Sequence, residues 1–151
     1  MKRYATSIFV MCLAFLNFSC ATSNKEHVWK AVVPEGVVEK VAWTEEDLSK
    51  DPVTRNIKLT NDSSFHFLHL QGSEKPHTHD DHDLYAFMIS GECRLTMAGK
   101  QFELKKDDAV FIPRGTVHWA ENVDPKGSEA YVIFVPALTG PDYHEIGKRT
   151  L

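Results

Sequence analysis

Three cysteines in 151 residues cannot build a disulfide scaffold. Basic charge is also in short supply. Lysine and arginine total 17 against 21 aspartates and glutamates, a net charge of −4, and no basic patch stands out. Nucleic acid is therefore not an expected partner. Nor is there a long apolar run: the stretch from Ile8 to Leu16 falls far short of the roughly 20 residues that a membrane-spanning helix needs. No glycine-rich loop that could cradle phosphate is present, and no serine-nucleophile motif. Repeats and low-complexity tracts are missing too. The remainder is ordinary globular composition, 42% hydrophobic and 25% charged, which excludes disorder, collagen and coiled coil. The length suits one domain.

The chain opens with an address. Lys2 and Arg3 precede the apolar run Ile8 to Leu16, and the small residues Ser19, Cys20 and Ala21 follow. That order reads as a secretory signal. The segment from Leu16 to Cys20 resembles a bacterial lipobox, although Asn17 stands where leucine is usual. The resemblance implies that residues 1–19 are removed, that Cys20 carries lipid and that residues 20–27 form a tether. Ala21 after the cysteine then points to an outer-membrane lipoprotein facing the periplasm or the cell surface. Simple secretion, with cleavage after Ala21, gives the alternative of a periplasmic or secreted soluble protein. Cys93 would be left as the one thiol and reads as a small buried apolar residue.

Beyond the tether, short strand signals dominate. Residues 28–54 predict strands at Val28–Val33 and Val37–Trp43, then a helical turn with Thr44 as N-cap and Asp47 at its third position. Residues 55–136 predict strands at Arg55–Thr60, Ser64–Gln71, Leu84–Ile89, Cys93–Met97, Lys100–Leu104, Ala109–Ile112, Val117–Asn122 and Ala130–Val135. Residues 137–151 are expected to form a C-terminal tail. Short strands at regular spacing, separated by turn residues, predict an all-β sandwich or barrel in one domain. A small barrel can enclose one ligand.

The chemistry lies in the histidines. Of eight, five (His66, His69, His77, His79 and His82) cluster. In a strand, residues two apart face one side, so His77 and His79 can point together into a barrel. Asp83 joins that face if the strand continues or bulges. Imidazoles with a carboxylate suit a divalent transition metal: iron, zinc, manganese, nickel or cobalt. Farther on, the turn Pro113-Arg114-Gly115 delivers His118 to the start of a strand.

Together these segments resemble the two motifs of the cupin superfamily. Pro113, Gly115, His118 and Asn122 match the second motif in register, with Asp107 in place of its leading glycine. Gly72, His77, His79 and Gly91 match the first in kind, with one residue fewer between Gly72 and His77. The resemblance implies a jelly-roll β-barrel whose metal ligands are His77, His79, Asp83 and His118, with His82 as the alternative to Asp83. The motif leaves six residues between its carboxylate and Gly91, which lands on Leu84 instead, so either one residue is inserted or the carboxylate ligand is lost.

Other residues weigh less. Tyr85 and Phe87 share the face of Asp83 in a regular strand and could line a pocket. His66 and His69 lie on opposite faces and read as core-edge or surface polar residues. Asn122 is expected to hold a turn and Arg114 to be solvated. Glu74 and Glu121 are poor ligand candidates by position. The expected function is an exported metal-binding cupin acting on a small molecule by oxygenase, isomerase or lyase chemistry. The alternatives are a non-catalytic ligand- or metal-binding module at the cell envelope, held there by a lipid anchor, and a structural barrel that forms homodimers.

Overall fold

The computed structural model describes residues 30–39 and 43–147. The signal segment, Cys20 and the tether lie outside the described residues. Among the described residues, no helix is long and apolar enough to cross a membrane.

The described residues form a hairpin of β1 (Lys30–Val33) and β2 (Gly36–Glu39), a helical turn α1 (Glu45–Leu48), and then ten strands. These are β3 (Val53–Leu59), β4 (Ser64–Leu70), β5 (His77–Thr78), β6 (Asp83–Ser90), β7 (Glu92–Met97), β8 (Lys100–Lys105), β9 (Ala109–Ile112), β10 (His118–Asn122), β11 (Ser128–Val135) and β12 (His144–Glu145). They build two five-stranded antiparallel sheets, ordered β12-β5-β10-β7-β8 and β3-β4-β11-β6-β9. The two sheets pack as a jelly roll. Thr44 caps α1 through a reciprocal capping box with Asp47, as its sequence predicts.

Alternation along the strands makes the core. On β6, Leu84 and Met88 are buried, while Tyr85 and Phe87 are 39% and 44% exposed. On β11, Ala130, Val132 and Phe134 face the same interior. Cys93 and Leu95 of β7 and Ile112 of β9 close it. Each fully buried leucine or phenylalanine contributes about 1.5–3 kcal/mol through the area it removes from water. Cys93 belongs to this core, where burial raises its thiol to about 11.

Two turn positions explain the motif glycines and their substitute. Gly91 has φ +72 between β6 and β7, and a Cβ there would sit 2.4 Å from the Gly127 carbonyl, so both backbone and space demand glycine. Asp107 has φ +75, a left-handed conformation that aspartate tolerates better than most residues. It therefore serves where the motif has glycine.

The outer face of β4 is covered as well. Trp43 stacks on Phe67 with ring centroids 5.0 Å apart and lies 5.7 Å from His69. His69 is buried beneath it; among the described residues neither ring nitrogen has a hydrogen-bond partner, and Nδ1 lies 3.9 Å from Glu129 Oε1. His66 is buried on the opposite face, its Nε2 2.8 Å from Ser64 Oγ. Both are core residues, on opposite faces as the strand pattern predicts.

The C-terminal segment, residues 137–147, packs against the barrel, with Ala137 and Asp142 buried. β12 adds an edge to β5, pairing His144 with Thr78 and Glu145 with His77. The Ile146 N–H donates to the Pro76 carbonyl at 2.8 Å.

Candidate metal centre

β5 and β10 are neighbours, and His118 stands directly opposite His77 in their register. Side chains in such a pair lie roughly 5 Å apart at Cβ. His79 follows two residues after His77 and returns to the same side. Gly115 ties the two segments together: at φ +71 its N–H donates to the His79 carbonyl at 2.7 Å. A Cβ at Gly115 would meet nothing, so glycine is required there by backbone angle alone.

Each ring is held through Nδ1. That nitrogen donates to the Lys75 carbonyl in His77 and to the Thr116 carbonyl in His118, both at 2.8 Å, and to the Asp142 carbonyl in His79. A proton fixed on Nδ1 leaves the Nε2 lone pair free. The ligand atoms of His77, His79 and His118 all lie within 4.8 Å of one another. All three residues are buried. Burial pushes His77 down to about 3, with His118 beside it adding to the shift, and pushes His118 down to about 4. His79 is lowered by burial in the same way. The rings are therefore neutral at physiological pH, as metal ligation requires.

The C-terminal segment supports this trio. Burial works to raise Asp142, but hydrogen bonds from His82 and from the Asp80 and Asp81 N–H groups outweigh it and hold the carboxyl at about 2. The carboxylate thereby fixes the 80–82 loop, while the Asp142 carbonyl fixes His79. Tyr143 stacks on His77 with centroids 4.0 Å apart, and its hydroxyl donates to the Lys75 carbonyl at 3.0 Å.

The carboxylate expected to complete the ligand set is elsewhere. Asp83 accepts from Arg114 through the backbone N–H at 3.0 Å and through Nη2 at 3.0 Å, so Arg114 is paired and not simply solvated. These bonds hold Asp83 below the usual carboxylate range. The alternation of β6 supplies the reason: Leu84 points into the interior, so Asp83 points out of it. Tyr85 and Phe87 share the Asp83 face, as expected, but that face is the outer one, and neither lines the cavity. His82 is also outside the trio, its Nδ1 donating to Asp142. The inward position carries Leu84, so β6 brings no carboxylate to the histidine trio. Asn122 holds a turn as expected, donating to the Gln71 carbonyl at 2.9 Å and the Asp124 carbonyl at 2.7 Å.

Below the histidines lies a cavity of about 170 Å³, walled mostly by apolar residues such as Leu70, Leu84, Leu95, Val132 and Phe134. Glu74 also lines it, which its position in the sequence did not suggest. Its Oε2 accepts the Ala120 N–H at 2.8 Å. Burial raises its carboxyl to about 7, the Ala120 bond opposing and the charge of Asp51 adding to the shift.

Residues 65–134 match the family model described as a cupin domain. The fold is that of a cupin. A curated relative, an uncharacterized protein of Aquifex aeolicus, is 37% identical over 73 residues, covering 48% of this chain and 60% of that one. Among solved structures, an uncharacterized conserved protein with a double-stranded β-helix domain from Klebsiella pneumoniae superposes with a TM-score of 0.56 at 26% identity. That match covers 64% of this chain and 86% of the other. KdgF from Halomonas sp. superposes with a TM-score of 0.55 at 24% identity, covering 58% of this chain and 80% of that one. The match to the cupin model ends at residue 134 and so leaves out the segment that carries Asp142 and Tyr143.

Proposed function

We propose that this cupin binds one divalent transition metal through Nε2 of His77, His79 and His118 and acts there on a small molecule, at the cell envelope or outside the cell. The observation that carries the metal reading is the convergence of three neutral imidazoles, each pinned at Nδ1 by a backbone carbonyl. Metal-bound histidines are oriented by that kind of outer hydrogen bond. The donor set fits iron, zinc, manganese, nickel or cobalt. With three neutral ligands the centre keeps the full charge of the ion and leaves positions for water or substrate. A metal bound so can polarise a substrate oxygen or lower the pKa of water. The signal-like order of residues 1–19 supports the envelope assignment, with Cys20 as the proposed lipid-bearing residue.

Elemental analysis of the purified full chain tests the metal, beside a His77→Ala, His79→Ala double variant. Near-stoichiometric metal in the parent and none in the variant is expected. A parent without metal after reconstitution would refute the reading. Envelope location is tested separately by fractionation and by mass spectrometry of the mature N-terminus, where a lipid-modified Cys20 is expected.

A further inference from the structure

The cavity beneath the histidines has an unusual chemical make-up. Among the described residues, no lysine or arginine lines it, and its walls are predominantly aliphatic. Apart from the histidine trio, its walls carry no side chain that could hold a positive charge. Its volume is about 170 Å³, while an apolar cavity of about 150 Å³ is known to hold benzene. Two carboxyl groups interrupt the apolar wall. Glu129 is engaged at both oxygens, by Trp43 Nε1 at 3.1 Å and Ser90 Oγ at 2.8 Å. Glu74 is different. Its Oε2 takes the Ala120 N–H, and among the hydrogen bonds of the described residues Oε1 takes part in none. Ala120 lies two residues past His118 on β10, so the backbone N–H that holds the Glu74 carboxyl is about 7 Å along the strand from the backbone of that histidine.

We propose that this cavity takes an apolar molecule the size of a single ring bearing one acidic O–H group, and that Glu74 accepts the proton of that group as its oxygen turns toward the histidines. The proposal rests on the metal reading above. In the step, the ligand's O–H bond breaks and an O–H bond to Glu74 forms. The electron pair stays on the ligand oxygen, and nothing is oxidised or reduced. The carboxylate for the proton is Glu74, and the cation for the anion would be the metal held by His77, His79 and His118. The titration behaviour of Glu74 supports the assignment, since burial places its carboxyl at about 7, within reach of physiological pH. The ionisable groups around it are Asp51, whose charge raises it, and Cys93 and Tyr143, both held neutral by upward shifts.

Phenol is the probe, because its hydroxyl titrates near 10, as tyrosine does, and is neutral at pH 8. The full chain is loaded with cobalt, and phenol binding is followed at pH 8 by calorimetry in two buffers of different ionisation heat, which counts protons released. The parent should bind phenol with almost no proton release, because Glu74 keeps the proton. Glu74→Gln preserves an acceptor for the Ala120 N–H and should keep the parent's cobalt content. It should bind phenol about ten-fold more weakly and release close to one proton per phenol. Cobalt-loaded parent that does not bind phenol would overturn the proposal. Equal affinity and equal proton counts in the two proteins would also overturn it. Failure to take up cobalt would refute the metal reading instead, and binding of phenol by the metal-free parent would then test the cavity alone.

Discussion

Two sets of buried histidines sit within one barrel and behave differently. His77, His79 and His118 each spend Nδ1 on a backbone carbonyl and turn a free Nε2 toward the other two. His66, His69 and His82 are buried as well, yet their partners are a serine hydroxyl, the face of Trp43 and the Asp142 carboxylate. Burial and clustering do not separate the sets. The direction of the second nitrogen does, because a ligand needs its outer nitrogen anchored and its inner one unoccupied by protein.

Substitutions sharpen this comparison. The largest effect is expected for His118→Ala, which removes one of three donors and should weaken metal binding at least about 100-fold; equilibrium dialysis measures it. The matched His66→Ala should leave metal affinity within about two-fold while lowering stability by roughly 1–2 kcal/mol. Next comes Asp142→Asn. It loosens the 80–82 loop and the carbonyl that orients His79, and should cost about 10–100-fold in metal affinity, the usual cost of losing an outer-layer partner.

Glu74 gives the pH dependence. Its carboxyl stands at about 7 in the fold, against 4.5 as the ordinary value. The folded state holds this proton more tightly than the unfolded chain. Stability from Glu74 is therefore complete below pH 4.5 and is lost as pH rises through about 7. Chemical denaturation of the metal-free protein should show a decline on the order of 1–3 kcal/mol across that window. In Glu74→Gln the decline should flatten.

The smallest effect is expected for Asp83→Asn. It removes an exposed pair with Arg114 and should cost no more than about 1 kcal/mol, with metal content unchanged. Leu84→Glu puts a carboxylate on the inward face instead. It should destabilise the metal-free protein and recover part of that loss when metal is added, read as a larger metal-induced rise in Tm than in the parent.

Much of this was legible in the sequence. Turn residues and alternating hydrophobicity mark β3, β4 and β6 to β11 to within two residues, but neither β5 nor β12 was among the predicted strands. His77 and His79 at a spacing of two, with His118 after a Pro-x-Gly turn, mark the histidine trio. The face of β6 was not legible, because the loop Asp80-Asp81-His82 breaks the alternation between β5 and β6. A shift of one residue exchanges every side chain between core and surface. Asp83, Tyr85 and Phe87 were all displaced by that single step. The role of residues 137–147 was hidden for another reason. Their attachment combines backbone hydrogen bonds, the buried Asp142 carboxylate and isolated contacts of Ala137, Leu138 and Tyr143, which together leave no strand-like alternation in the sequence. Glu74 lies in the connection between β4 and β5, where sequence periodicity does not define which way a side chain points.

X-ray absorption at the metal edge tests the central claim most directly, on the metal-loaded parent and on Asp83→Asn. Three imidazole nitrogens at about 2.0–2.1 Å, with the remaining positions filled by solvent oxygen and identical spectra for both proteins, are predicted. Fewer than three imidazoles, or a ligand lost in Asp83→Asn, would contradict it.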